Sequence, residues 1–358
     1  MWWETKMKTH TKVYAIILLL MLCSCGVHCI DEKYAASVAK DALSIPGSVS
    51  AQVLKGGLSG ASIFMVTTDS KKYIARFFEH KTKEERQQEI ACLQAASEGG
   101  YGPHIYFADV DKAVVIMEYL QGQKISREQR RSEQLYAELA HLLQKIHHGP
   151  QFPTSKNVFD FLQEYLKQVK EIVKANNVEG FPLAKLEEIL AILHFALAPH
   201  LSVVPCHNDI HPHNVIFLGN EFKAIDCECS AQSDPYYDIA TAAIYFCFKP
   251  EYENILLTTY LERQPSAFEE AKLCLMKQVA RMVSALSFLA LGVKSINQYA
   301  TLQVPSYWVF MKEIGMGRIN LADPESQVSI AKIVINDVIA GFESKEFRDA
   351  VNLLNKNR

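Results

Sequence analysis

Asp209, Asn214 and Asp226 are the residues whose types and spacing point most directly to chemistry. The first two lie in His207-Asn208-Asp209-Ile210-His211-Pro212-His213-Asn214, five residues apart. The third lies twelve residues further on, in Ala224-Ile225-Asp226-Cys227-Glu228. One carboxylate placed like Asp209 can accept the proton of an attacking hydroxyl. An amide and a second carboxylate, Asn214 and Asp226, can hold Mg²⁺ against the phosphates of ATP. Hard oxygen ligands with retained waters suit that ion, and Glu228 adds a carboxylate, directly or through water, for the same ion or a second one.

Three short apolar segments must position these groups. Ser202–Cys206 precedes the first motif, and Val215–Leu218 and Phe222–Ile225 lie between the two motifs. Gly219-Asn220 joins the last two as a hairpin. Upstream, residues 34–120 read as a small α+β unit. A short helix ends near Leu43, followed by a strand over Val49–Leu54. The turn Lys55-Gly56-Gly57-Leu58-Ser59-Gly60-Ala61-Ser62 leads into a returning strand, Ile63–Thr67. Gly56, Gly57 and Gly60 would let backbone amides approach a phosphate without Cβ clashes, and Ser59 and Ser62 would add hydroxyls. Tyr73–Phe78 is a third strand, Lys83–Ser97 a helix ended by Gly99-Gly100, and Ile105–Ala108 with Ala113–Met117 a second hairpin. Glu118-Tyr119-Leu120-Gln121-Gly122 leaves it as a linker.

From Arg127 onward the pattern is helical. Apolar residues at 135, 139, 142, 143 and 146 keep a 3.6-residue period. Further helices are expected over 159–173, 183–197, 239–248, 267–291 and 328–342, their Leu and Met stripes serving as core.

The chain has 358 residues, enough for two lobes, with 49% hydrophobic and 22% charged residues. A net charge of −3 and no basic stripe argue against a nucleic-acid partner. Residues 1–30 differ from the rest. Lys6, Lys8 and Lys12 precede the apolar run Val13–Leu22, and Leu22-Cys23-Ser24-Cys25 follows with the look of a lipoprotein cleavage box. This is a signal-like or membrane-anchor leader. A start near Met21 would remove most of it and leave a cytoplasmic protein; otherwise the chain is exported or anchored. Cys92, Cys206, Cys227, Cys229, Cys247 and Cys274 are scattered, which favours free thiols over a disulfide framework. Cys227-Glu228-Cys229 reads as alternating strand residues rather than a zinc site.

In order along the chain stand the Gly-rich hairpin, the Arg76 strand, the Glu89 helix, Gly102-Pro103-His104-Ile105-Tyr106, the linker at Glu118, the two motifs and Asp234-Pro235-Tyr236-Tyr237-Asp238-Ile239-Ala240. With these, residues 34–300 resemble the choline/ethanolamine kinase and aminoglycoside phosphotransferase superfamily. The resemblance implies an α+β, protein-kinase-like bilobal fold: an antiparallel-sheet nucleotide-binding lobe over 31–120 and a larger, mainly helical catalytic and acceptor lobe over 121–358. It implies that Arg76 contacts phosphate bidentately, that Glu89 fixes Arg76 (Glu85 being the register alternative), and that Glu118, Tyr119 and Leu120 receive adenine. It implies that His207 supports the loop, and that Asp238 bonds the loop backbone and starts a helix.

Two features separate the chain from protein kinases. Asp226 is followed by Cys227-Glu228, not Phe-Gly, and eleven residues separate Asp226 from Asp238, with no Ala-Pro-Glu. That interval leaves no room for a peptide-docking platform. The expected reaction is therefore transfer of the ATP γ-phosphate to a small-molecule hydroxyl, of choline or ethanolamine type. An aminoglycoside or thiamine acceptor, or a catalytically silent ligand-binding member of the fold, are the alternatives. Late aromatic residues, among them Tyr236, Tyr245, Tyr299 and Trp308, could box a quaternary ammonium or fill core. Cys229 stands where choline kinases tend to have Tyr.

Overall fold

The computed structural model describes residues 30–54, 61–123, 125–126, 128–293 and 299–357. Residues 1–29 of the expected leader, and the expected turn with Gly56, Gly57, Ser59 and Gly60, lie outside the described residues. The chain divides into two compact units, each discontinuous in sequence: residues up to Ser155 with Val204–Gln232, and Lys156–Val203 with Ser233–Arg358. This division differs from a cut at residue 120, because the catalytic-motif hairpin groups with the N-terminal sheet.

The first unit is built on an antiparallel five-stranded sheet of order β1-β2-β3-β5-β4. Its strands are β1 (Val49–Val53), β2 (Ser62–Thr68), β3 (Lys72–Phe77), β4 (Ile105–Asp109) and β5 (Val114–Glu118). Strand side chains alternate between faces, so Phe64 and Val66, Ala75 and Phe77, and Val114 and Ile116 reach one core with Ala35 and Ala39 of helix α1 (Glu32–Ala42). β3 lies between β2 and β5, with Arg76 opposite Ile63 on one side and Val115 on the other.

Helix α2 (Lys83–Glu98) starts with a capping box: Thr82 accepts from the Glu85 amide, and the Glu85 carboxylate accepts from the Thr82 amide. That use of Glu85 removes it as a partner for Arg76. Glu89, one turn on, lies on the buried face with Ile90, Cys92 and Leu93. Helix α3 (Glu133–His147), the short strands β6 (Val204–Cys206), β7 (Val215–Phe217) and β8 (Phe222–Ala224), and the first two residues of β9 (Ala231–Ser233) also belong to the unit. Cys227–Cys229 form a single 3₁₀ turn instead of the expected alternating strand. Asp226, at φ 64°, ψ 68°, breaks the extended conformation just before it.

The second unit is helical: α4 (Val158–Ala175), α5 (Leu183–Leu197), α6 (Pro235–Phe246), α7 (Pro250–Leu261), α8 (Ala267–Gly292), α9 (Tyr307–Gly315), α10 (Pro324–Phe342) and α11 (Lys345–Lys356). α8 is long and apolar enough to cross a membrane by composition, yet most of that stretch is buried. Leu273, Leu275, Met276, Val279, Met282, Leu286 and Leu289 form its core stripe, packed against α6, α10 and α11. A Cβ at Gly292 would collide with the Pro324 carbonyl, so glycine permits the close approach of α8 and α10. Asp238 does not start α6. Asp234 is its N-cap, accepting from the Tyr236 amide at 2.9 Å, and Pro235 takes the first helical position. Asp238 is buried within the first turn.

Candidate active site

The β7–β8 hairpin sets the geometry. Val215 pairs with Ala224, and one step outward the Ile225 amide donates to the Asn214 carbonyl at 2.9 Å. Antiparallel register therefore brings the end of the first motif to the start of the second, with Asp226 next after Ile225. His207, almost wholly buried, donates its Nε2–H to the Ile225 carbonyl at 2.9 Å. The Asn208 amide reaches the Cys229 carbonyl at 3.2 Å. These cross-bonds hold Asn208 (φ 62°) and Asp226 (φ 64°) in the left-handed region, which costs a non-glycine residue on the order of 1–3 kcal/mol.

Asp209 is tied to its own loop. Asn214 donates Nδ2–H to Asp209 Oδ2 at 2.7 Å and to its carbonyl at 3.2 Å. His211 Nδ1 accepts from the His213 amide at 3.2 Å. That assigns the proton to Nε2, which lies 3.4 Å from Asp209 Oδ2. Burial works to raise the Asp209 pKa. The His211 hydrogen bond, the electrostatic influence of the His211 and His207 rings, and the Asn214 hydrogen bond outweigh it, and the carboxyl lies below its ordinary range. Asp209 is thus ionised at neutral pH and can only accept. Because the Asn214 amide nitrogen is committed to Asp209, its carboxamide oxygen is the atom left for a cation.

On the sheet side, Arg76 is 5% exposed and lies between two carboxylates. Its Nη2 is 2.8 Å from Glu89 Oε1 and its Nη1 is 2.9 Å from Asp226 Oδ1. Burial opposes its charge, but Asp226, Glu89 and Glu228 raise the pKa above its ordinary value. Lys81, between β3 and α2, contacts Glu89 Oε2 and lies 3.1 Å from Glu228 Oε2. Glu89, Asp226 and Glu228 each offer an oxygen within 4.8 Å of the others. Unit charges of one sign about 4 Å apart repel by about 4 kcal/mol at an effective dielectric of about 20. The two cations offset that repulsion, and the charges alternate as Asp226–Arg76–Glu89–Lys81–Glu228. Burial, with Asp226 next in size, still pushes the Glu228 pKa up.

A hard divalent cation fits this donor set. Asn214, Asp226 and Glu228 supply only oxygens. Asp226 Oδ1, although at ion-pair distance from Arg76, has no aligned hydrogen-bond partner among the described residues, and neither have Glu89 Oε1, Arg76 Nε or Arg76 Nη2.

Among the other expected residues, Glu118 ends β5 and uses its side chain to accept from the His104 amide at 3.2 Å. Tyr119 lies under the Lys72 ammonium, 5.6 Å from its ring centre, and the Leu120 carbonyl accepts from the Gly122 amide. Sequence reasoning missed Lys81. It precedes the Thr82 cap, and nothing in its neighbours' types signals that its side chain turns back toward Glu89 and Glu228.

Residues 50–273, more than half of the chain, match the Phosphotransferase enzyme family. Protein LicA of Haemophilus influenzae is 24% identical over 155 residues, covering 42% of this chain and 57% of that protein. The aligned stretch thus spans little more than half of that relative. A choline/ethanolamine kinase family protein from Mesorhizobium loti superposes with a TM-score of 0.64 at 18% identity, covering 89% of this chain and 98% of that one. The ternary complex of streptomycin and ATP with APH(2")-IIa superposes with a TM-score of 0.54 at 16% identity, covering 74% and 91%. The chain belongs to the phosphotransferase enzyme family, and its fold is that of the family's small-molecule kinases.

Proposed function

We propose that the chain transfers the γ-phosphate of ATP to the hydroxyl of a small amino alcohol of choline or ethanolamine type. Asp209 accepts the hydroxyl proton as the oxygen attacks the γ-phosphorus and the bond to the β–γ bridging oxygen breaks, with ADP as the leaving group. His211 Nε2–H and Asn214 Nδ2–H hold the carboxylate ionised and aimed. Arg76, fixed by Glu89, grips phosphate oxygens. The strand end at Glu118–Leu120 presents backbone groups to adenine. Magnesium held by Asn214, Asp226 and Glu228 would supply charge neutralisation on the phosphates.

The observation that carries this reading is the convergence of Asp226 and Glu228, each offering a carboxylate oxygen within 4.8 Å of the other, on a hairpin whose Asn214 amide nitrogen holds Asp209. The acceptor class rests on relatives, the Mesorhizobium loti protein's family name being the most direct. An aminoglycoside acceptor is the second reading, favoured by the streptomycin complex among the similar folds.

Transfer of labelled γ-phosphate should be screened over choline, ethanolamine, thiamine and aminoglycosides. Product is expected with an amino alcohol. Asp209→Ala should lower kcat by about two to four orders of magnitude, with the melting temperature nearly unchanged. Stabilisation by Mg-ATP without product over the whole panel would sink the catalytic reading and leave a silent nucleotide-binding member of the fold.

A further inference from the structure

Lys81 has no role in the reaction outlined above, yet its placement is defined by the backbone on both sides of it. A backbone hydrogen bond from the Lys81 amide to the Phe78 carbonyl closes a turn after β3. The Thr82–Glu85 capping box begins immediately after it. From this turn the side chain reaches inward, where Nζ meets Glu89 Oε2 and Glu228 Oε2. Its side chain is 19% exposed, so the ammonium has lost much of its water and depends on these two carboxylates.

The two cations of the cluster differ in what they hold. Arg76 spans Glu89 and Asp226; Lys81 spans Glu89 and Glu228. Both therefore use Glu89 as an anchor, through separate oxygens, and each covers one of the two carboxylates assigned above to the divalent ion. Arg76 is the more buried and has two phosphate-gripping edges. Lys81 is a single flexible point charge on the more exposed of the two carboxylates, since the Glu228 side chain is 33% exposed against 26% for Asp226.

We propose that Lys81 is a positioning residue that stands in for the divalent cation at Glu228 and must be displaced from that carboxylate when the ion binds. The inference rests on the metal-site reading given under Proposed function. An ammonium and a divalent cation cannot share the same half-buried carboxylate oxygen without strong repulsion. Ion binding at Glu228 Oε2 therefore releases Nζ, which stays tethered through Glu89 Oε2. The device offsets part of the carboxylate cluster's charge before nucleotide arrives and sets a threshold on metal affinity.

A merely structural clip predicts the opposite sign. If Lys81 only braced Glu228, its loss would loosen the ligand and weaken the ion. Mn²⁺ binding to the full chain, followed by the free-ion electron paramagnetic resonance signal with and without ADP, separates the two. Lys81→Met should tighten Mn²⁺ binding by on the order of tenfold, the scale of removing one charge from a few ångströms of a partly buried site. Lys81→Gln should do likewise, and it serves as the second variant should the Met substitution compromise folding. Lys81→Arg, which keeps the charge, should stay near wild type. Adding Glu228→Gln to Lys81→Met should cancel the gain. Unchanged or weaker binding in both neutral variants, with wild type binding normally, overturns the competition and leaves the metal site standing. Absence of Mn²⁺ binding in wild type and in both variants, with ADP present, overturns the competition and the metal-site reading together.

Discussion

Two buried charge clusters in this chain are built to opposite specifications. In the second unit, Lys272 and Asp234 form a closed set. Asp234 accepts from Lys272 Nζ at 2.8 Å, from the Ser202 amide at 2.7 Å and from the Tyr236 amide at 2.9 Å. Lys272 also donates to the His200 carbonyl at 2.7 Å and lies 4.5 Å from the Tyr236 ring centre. In the first unit, three carboxylates face two cations, and several of the buried oxygens and nitrogens lack an aligned partner. A satisfied buried pair needs nothing more, and its role is to fix the turn into α6. A cluster with surplus charge and unaligned donors is stable only because neighbouring structure enforces it, which is the expected condition of a site arranged for a ligand.

Substitutions can break this contrast. The largest effect should come from Asp226→Asn: kcat falling by about a thousandfold, since a metal ligand contributes several kcal/mol to the transition state. Its melting temperature should hold or rise, because a like charge leaves the cluster while Arg76 keeps Glu89. Steady-state kinetics with thermal denaturation would test this; a large loss of stability would place Asp226 with the structural clusters.

Lys272→Met should behave in the reverse way. It strands the Asp234 carboxylate in the interior and should cost about 3–5 kcal/mol in urea unfolding, while the folded fraction keeps near-normal kcat. A stability loss below about 1 kcal/mol would remove the distinction drawn between the clusters.

The smallest effect sharpens the comparison with a third, surface cluster. Glu269 accepts from Arg263 through both oxygens, at 2.7 and 2.9 Å, and caps α8 with Ser266. The Arg263 hydrogen bond is the main cause of a pKa pulled down to about 2. A depressed carboxylate stabilises the fold above its ordinary pKa, and that contribution is lost as pH falls from about 4.5 toward 2. Solvent screening of this pair reduces the effect to about 1 kcal/mol. Glu269→Gln should flatten the acid limb of the stability profile by that amount, measured by denaturation between pH 2 and 6, and leave kinetics at neutral pH unchanged.

Much of the first unit was legible from residue order alone. The apolar segments Ile63–Thr67, Tyr73–Phe78 and Ala113–Met117 read as strands, and the two motifs marked Asp209, Asn214 and Asp226 through spacing that a short hairpin preserves. The helices expected over 159–173, 183–197 and 267–291 are found at Val158–Ala175, Leu183–Leu197 and Ala267–Gly292. The helices Pro250–Leu261, Tyr307–Gly315 and Lys345–Lys356 were not foreseen. Each is short, and its apolar positions are fewer than its polar ones or are left partly exposed.

What the sequence by itself determined is local: which segments are strands or helices, and that an acid, an amide and another acid recur at intervals suited to one hairpin. Only the tertiary structure decided which charges meet. Glu85 and Glu89 are equivalent as letters, yet the Thr82 cap consumes one and helix phase turns the other toward Arg76. Lys81 and Glu228 are 147 residues apart, and so are joined by no pattern of spacing. Local conformation depends on neighbours in sequence, whereas an ion pair depends on the register and packing of elements folded from distant parts of the chain.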